Sequence, residues 1–252
     1  MYNFLILEKT NTVTTIFLNR PERYNALNKV LCQEIAAAIT QLSTDESVNV
    51  IRLKGLGKGF CAGLDLFEVD IEELKQAGKI VRELFNPIVF AIKNSPKPVV
   101  AEVSGVAAGA GCSLALACDM VFASQHAQFS LPFLKISLLP DTGASYFMVK
   151  QLGYKKAFEI FAGNKSLTAL EAESCGLINR TCEETTLEEQ CMAYCIGLSQ
   201  LNPESLKDLK QLLQSAETKT LSDTLDLEAY YQDKAAKSPA FEAAIKQFKG
   251  RK

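Results

Sequence analysis

The chain has 252 residues, of which 48% are hydrophobic and 22% charged, with a formal net charge of −2. That length fits one large domain, or one domain with a small appendage, and it buries a core without disulfide or metal staples. The near-neutral balance offers no electrostatic basis for binding nucleic acid or an anionic membrane.

In chain order, residues 4–7 and 13–18 are rich in β formers, and Lys9-Thr10-Asn11-Thr12 between them reads as a hairpin connection. A polar loop containing Pro21 covers 19–25. Residues 26–42 are predicted helical, because Leu27, Leu31, Ile35, Ala38 and Leu42 fall on one face. A buried strand is expected at 48–54, followed by the glycine-rich loop Gly55-Leu56-Gly57-Lys58-Gly59. Residues 68–94 read as helix, stopping before Ser95-Pro96-Lys97-Pro98. Residues 99–103 form a strand, and Gly105-Val106-Ala107-Ala108-Gly109-Ala110-Gly111 is a second loop of small residues opening onto a helix through Ala117. A short strand follows at 119–123. Strands thus alternate with helices, which predicts an α/β fold with βαβ connections.

After Gly143 the pattern is almost wholly helical, at 145–152, 155–161, 169–175, 187–201, 203–216, 221–237 and 239–248. The basic tail Lys249-Gly250-Arg251-Lys252 closes the chain. The expected organisation is an α/β core over 1–195 and a helical region over 196–252, packed on the core or on a neighbouring subunit. No internal repeat is visible.

Eight cysteines show no C-x-x-C pair, and His126 is the single histidine, so a zinc site is not expected. The thiols read as reduced, in a cytoplasmic protein. The start MYNFLILEKT lacks the basic and apolar regions of a signal peptide. Apolar runs stop well short of the roughly 20 residues of a spanning helix.

Two segments could carry chemistry: Gly59-Phe60-Cys61-Ala62-Gly63-Leu64-Asp65-Leu66 and the loop Gly105 to Gly111, each after a buried strand. Small residues let backbone approach a ligand closely, and a helix start presents unpaired N–H groups. Two such loops side by side could aim two amides at one oxygen, as an oxyanion hole does. Tight turn packing is the alternative for either loop alone. A phosphate loop is disfavoured, because G-x-x-x-x-G-K-[ST] and the Rossmann glycine spacing are both absent.

Asn25-Ala26-Leu27, then Phe60-Cys61-Ala62-Gly63-Leu64-Asp65-Leu66, then the run from Gly105 through Asp119 to Phe129 resemble the crotonase superfamily of enoyl-CoA hydratases and isomerases, in order and over nearly the whole chain. The resemblance implies a spiral of ββα units with a C-terminal helical trimerisation region, assembled as a homotrimer or dimer of trimers. It implies an acyl-CoA thioester substrate, with coenzyme A part of that substrate and no separate cofactor or metal. The oxyanion donors then map to the amides of Leu64 and Ala110, beside Ala62, Gly63 and Gly109. The CoA adenine and phosphates map to residues 23–26, that is Arg23, Asn25 and Ala26, near Ala62. A solvated surface charge is the other reading of Arg23. Phe248 and Lys249 resemble terminal residues that reach a neighbour's CoA site; a frayed end is the simpler reading.

The hydratases of the family use two glutamates, and their positions here hold Ser113 and Phe133. Neither side chain can activate water, which disfavours hydration. The run Leu138-Leu139-Pro140-Asp141-Thr142-Gly143 resembles instead the branch that includes the ring-1,2-epoxyphenylacetyl-CoA isomerases, where the equivalent aspartate is the proposed base. The resemblance therefore implies an isomerase moving a double bond from C3 to C2, with Asp141 as proton shuttle. Apolar neighbours such as Phe133 and Phe147 are expected to raise its pKa. Capping of the helix near Gly143 is the competing role of Asp141. A hydratase or another crotonase reaction with an unidentified base, or a non-catalytic acyl-CoA-binding partner, are the competing functions. Bland roles are expected elsewhere: His126 on a surface loop, Asp65 capping a helix or orienting the loop after Leu64, Asp119 tying a strand start, Ser113 in a helix interior, and Cys61 and Cys112 as small packing residues.

Overall fold

In the computed structural model, which describes residues 2–250, the chain winds back and forth between two sheets. A hairpin joins β1 (Leu5–Thr10) to β2 (Val13–Leu18) through Asn11, whose φ of 56° suits the left-handed turn. Helix α1 (Lys29–Thr44) starts three residues later than the apolar spacing predicts. Asn28 caps it by accepting from the Leu31 amide, and Leu27 is drawn instead into a bridge with Leu64. Strand β3 (Val50–Gly55) leads into β4 (Gly59–Cys61), so the expected glycine loop is shorter and its last residue already lies in a strand.

The single helix expected over 68–94 is broken into α2 (Ile71–Leu74), α3 (Ala77–Ile80), a π-helical turn over Val81–Phe85, and α4 (Asn86–Asn94). Gly78 weakens the helix, and Pro87 has no N–H to donate into the turn before it. Strands β5 (Val99–Val103) and β6 (Val106–Ala108) precede α5 (Ala110–Ala117). Then follow β7 (Met120–Ser124), β8 (Gln128–Ser130), α6 (Ala144–Ala162), β9 (Ser166–Thr168), α7 (Ala169–Ser174) and β10 (Arg180–Cys182). Gly153, at φ 76° and ψ 163°, interrupts α6 between the two helical stretches read from the sequence.

The large sheet has the order β1-β2-β3-β5-β7-β10, parallel except for the β1–β2 hairpin. The small sheet has the order β4-β6-β8-β9, with β4, β6 and β8 parallel and β9 antiparallel. Each of the pairs β3/β4, β5/β6 and β7/β8 places its first strand in the large sheet and its second in the small one, and each is followed by helix. The expected ββα spiral is therefore present, as a repeat of architecture with no matching repeat of sequence. Strands β9 and β10 correct the reading that the chain is almost wholly helical after Gly143. At three residues each they are too short to show alternation.

Helices α1, α4 and α5 bury a continuous apolar core against the large sheet. On the other face α8 (Leu187–Ser199) covers Val13, Val50, Val100 and Phe122. There the buried Arg52 pairs with Glu102 at 2.8 Å, while Lys54 joins Glu102 and the α8 residue Glu188. Helix α9 (Pro203–Ala216) is pinned by Lys210, whose ammonium donates to Asp119 at 2.7 Å and to the Ile92 and Lys97 carbonyls. Helix α10 (Leu221–Ala236) packs on α9, and α11 (Pro239–Lys249) on α10. No helix among the described residues is long and apolar enough to cross a membrane.

Candidate active site

The parallel strands β4, β6 and β8 lie side by side, so the segments leaving their C-terminal ends converge. Leu64 stands three residues past β4, Ala110 two past β6 and Phe133 three past β8. This is where ligands collect in parallel sheets, outside the strand ends. Close backbone packing makes the convergence possible. Gly63, at φ 87°, lies so near β6 that an added Cβ would sit 2.8 Å from the Ala108 carbonyl oxygen and 3.3 Å from the Ala110 nitrogen. At Gly111 a Cβ would lie 2.2 Å from the Cys61 carbonyl oxygen. These two glycines are thus required by contact between the two loops.

Hydrogen bonding fixes the first loop around its amide. The Leu27 amide donates to the Gly63 carbonyl and the Asp65 amide to the Leu27 carbonyl, which leaves the Leu64 N–H between them without a partner among the described residues. Gly109 (φ 51°) precedes α5 and donates to Ser130. Ala110 opens α5, and its amide likewise has no partner among the described residues. The arrangement offers two adjacent, unpaired backbone donors, one of them at the positive end of a helix.

Asp141 lies on the segment between β8 and α6. Its backbone carbonyl accepts from the Ser113 hydroxyl at 3.3 Å and from the Ala144 amide at 2.8 Å. Ser113 is three residues beyond Ala110 on the same face of α5, so Asp141 is tied within one helical turn of the Ala110 amide. The carboxylate is not a helix cap: Gly143 holds that position, and no side chain caps α6. Oδ1 accepts from the Thr142 hydroxyl at 2.8 Å. Burial pushes the Asp141 carboxyl above its ordinary value, and the Thr142 hydrogen bond opposes that shift. Phe133 and Phe147 are buried in the same core.

A groove of about 550 Å³ opens beside Leu64, walled by Asn28, Lys29, Glu68, Ile80 and Leu84 among others. Its lining includes Leu64 and neither Ala110 nor Asp141. The strand ends, where the two donors and the Asp141 segment come together, form the candidate site, because a groove alone supplies no reacting group.

The 23–26 stretch lies against this region, as expected: the Ala62 amide donates to the Tyr24 carbonyl. Arg23 is exposed, with its guanidinium 5.2 Å from the Phe67 ring centroid. Ala26 is buried. Asn25 is fully buried and spent within the fold, accepting from the Arg20 amide and donating to the Leu56 and Gly59 carbonyls. Phe248 and Lys249 lie at the exposed end of α11. Residues 251 and 252 of the basic tail lie outside the described residues.

Two residues had no sequence signal. Arg20 is buried and donates to the Ala26 carbonyl, Asp65 and Glu68, holding both halves of the first loop together. Nothing in the sequence separates it from Arg23. Thr142 is a β-branched residue at φ 53°, a conformation such residues rarely adopt. The bland roles of Asp65 and Asp119 are both found: Asp65 accepts from the Phe67 amide, and Asp119 from Val99. His126 is exposed. Burial raises the Cys61 and Cys112 thiols to about 12, so both pack rather than react.

Residues 8–252 match a family model described as "Enoyl-CoA hydratase/isomerase". The chain is 34% identical over 251 residues to 1,2-epoxyphenylacetyl-CoA isomerase of Escherichia coli, covering 98% of this chain and 96% of that protein. It is 31% identical to trans-2-decenoyl-[acyl-carrier-protein] isomerase of Streptococcus mutans, covering 94% and 92% respectively. Among solved structures, an enoyl-CoA hydratase from Polaromonas sp. JS666 superposes with a TM-score of 0.92 at 26% identity, covering 98% of this chain and 97% of that one.

Proposed function

The chain belongs to the enoyl-CoA hydratase/isomerase family, and from that premise we propose that it is an acyl-CoA isomerase that moves a double bond from C3 to C2. Membership makes it an enzyme of the crotonase type acting on acyl-CoA thioesters. The choice of isomerisation rests on one observation. Asp141 bears a carboxylate on a segment whose backbone carbonyl accepts from Ser113 of the oxyanion-side helix, while the resemblance puts Ser113 and Phe133 where hydratases of the family carry glutamates.

The thioester oxygen sits between the Leu64 and Ala110 amides. Asp141 removes a proton from C2, and the C–H electrons pass into an enolate conjugated with the C3–C4 double bond. The two amides stabilise the charge that develops on oxygen. Asp141 then returns the proton at C4, leaving the double bond between C2 and C3. One carboxylate suffices, because the same proton leaves and returns. Burial that raises its pKa suits it to both steps. Arg23 and the backbone of residues 23–26 bind the CoA phosphates and adenine. Exposed leucines on α9 and α10, such as Leu213 and Leu225, suit a trimer interface, which would also bring Phe248 and Lys249 to a neighbour's CoA. The eight unpaired cysteines suit the reducing cytoplasm.

The test is turnover of 3-enoyl-CoA and of 2-enoyl-CoA by the wild type and by Asp141→Asn. We expect isomerisation of the first substrate by the wild type alone. Isomerisation that survives the substitution refutes the single-base mechanism. Hydration of 2-enoyl-CoA at a comparable rate favours a hydratase, and binding without turnover favours a non-catalytic partner.

A further inference from the structure

Thr142 is held in a costly backbone conformation. A β-branched residue at φ 53° is a genuine outlier, and residues in such regions persist where the surrounding structure over-determines them. Thr142 is also buried, so solvent does not repay its polar group. Among the described residues its one side-chain hydrogen bond is the 2.8 Å donation to Asp141 Oδ1. No described residue donates to Oδ2. On the other side of the same residue, the buried Ser113 hydroxyl reaches the Asp141 backbone carbonyl at 3.3 Å and the Gly109 carbonyl at 3.2 Å. Ser113 therefore joins the start of α5 to the Asp141 segment through one hydroxyl.

We propose that Thr142 and Ser113 are positioning residues that make Asp141 a one-oxygen base: Thr142 holds Oδ1, Ser113 holds the backbone against α5, and Oδ2 is the oxygen that carries the proton. This rests on the reading of Asp141 as the base. The geometry explains why a position that favours glycine holds a threonine. An uncommitted carboxyl would rotate about its terminal torsion, which is broad and roughly two-fold, and would present either oxygen. A hydroxyl on Oδ1 selects one orientation. It also stabilises the ionised form, so the base is recovered after each proton return.

The experiment measures pH–rate profiles of 3-enoyl-CoA isomerisation for the wild type, Thr142→Val, Thr142→Ser, Ser113→Ala and Asp141→Asn. A hydrogen bond to a charged group is worth on the order of a tenfold effect or more. Thr142→Val is expected to move the acid limb of kcat upward by about one pH unit and to lower the plateau kcat about tenfold, with KM nearly unchanged. Thr142→Ser restores both. Ser113→Ala lowers kcat and leaves the acid limb in place. A purely structural threonine would move the melting temperature and not the acid limb. If Thr142→Val does not fold, Thr142→Gly relieves the backbone while removing the hydroxyl, and it is expected to show the same acid-limb shift. An inactive Asp141→Asn together with an unmoved acid limb overturns the clamp and leaves the base in place. An active Asp141→Asn overturns both.

Discussion

Replacing Gly63 by alanine tests whether close backbone approach creates the proposed oxyanion site. The new Cβ would meet the Ala108 carbonyl oxygen at 2.8 Å and the Ala110 nitrogen at 3.3 Å. The first distance is shorter than a Cβ tolerates, so the β4 and β6 exits must part by about half an ångström in a close-packed interior. That movement acts directly on the spacing of the Leu64 and Ala110 amides. Loss of one such donor costs about 3 kcal/mol of transition-state stabilisation, or roughly 10²- to 10³-fold in kcat. Alanine at φ 87° also carries backbone strain of about 1–3 kcal/mol. Gly153 separates the two effects: its φ is 76°, and a Cβ there meets nothing within 4 Å. Gly153→Ala should therefore lose stability alone, about 2–4 °C in Tm per kcal/mol for a chain of this size. The assay is the absorbance of the conjugated enoyl thioester, with Tm measured in parallel. A Gly63→Ala enzyme with kcat within about twofold of wild type refutes the reasoning, since that change would be far below the donor term. So does a Gly153→Ala enzyme with the same kcat loss as Gly63→Ala.

Three further outcomes follow from particular contacts. Burial raises the Asp141 carboxyl above its unfolded value of 3.8, so its favourable contribution is present below that value and lost as pH rises through the folded pKa. Asp141→Asn, which cannot ionise, should thus melt higher than wild type at pH 7, and the gap should close as pH falls toward 4; equal melting at pH 7 contradicts this. Asn25→Ala strips the Arg20 amide and the Leu56 and Gly59 carbonyls of their partner and should cost about 2–4 kcal/mol in urea unfolding. Iodoacetamide at pH 8 should leave Cys61 and Cys112 unlabelled in the native state, because their thiols titrate near 12, and should reach them only after unfolding, as read by peptide mass spectrometry.

Much of the fold was legible where periodicity is long. Helices α8 to α11 fall within two residues of their expected bounds, and each spans three turns or more. Gly153 was readable as a break because its helical neighbours were strong on both sides. The missed strands share a cause. Strands β4, β6, β8, β9 and β10 have three residues each, too few for a period of two to register. Their existence is decided by pairing with strands from other turns of the spiral. The region 68–94 failed for a different reason: its apolar spacing is helical throughout, and the breaks depend on Pro87 and on tertiary packing. At the site, the two small-residue loops stand out by residue type, and Asp141 is singled out only by the resemblance of the Pro140-Asp141-Thr142-Gly143 run, since residue pattern alone reads it as a cap. Arg20 and Thr142 could not, since an arginine beside a proline and a threonine after an aspartate are ordinary sequence. Their roles come from burial and from a φ angle.

The spiral separates what the site stabilises from what it makes. Leu64 and Ala110 offer only backbone, so their geometry depends on the β4–β6 register and on Gly63 and Gly111, while their side chains are free to vary. In the proposed function, the first two turns of the spiral hold the thioester oxygen whatever follows. The third turn, β7 to α6, brings the Phe133 and Asp141 segments to the same strand ends, and α5 brings Ser113 one helical turn from Ala110. A change at those side chains alters which proton can move without disturbing the amide pair. That accounts for one backbone geometry serving relatives named as isomerases and as hydratases. A variant at Gly63 should therefore slow any reaction that uses the amide pair by roughly 10²- to 10³-fold, whereas variants at Asp141, Thr142 and Ser113 should discriminate among reactions.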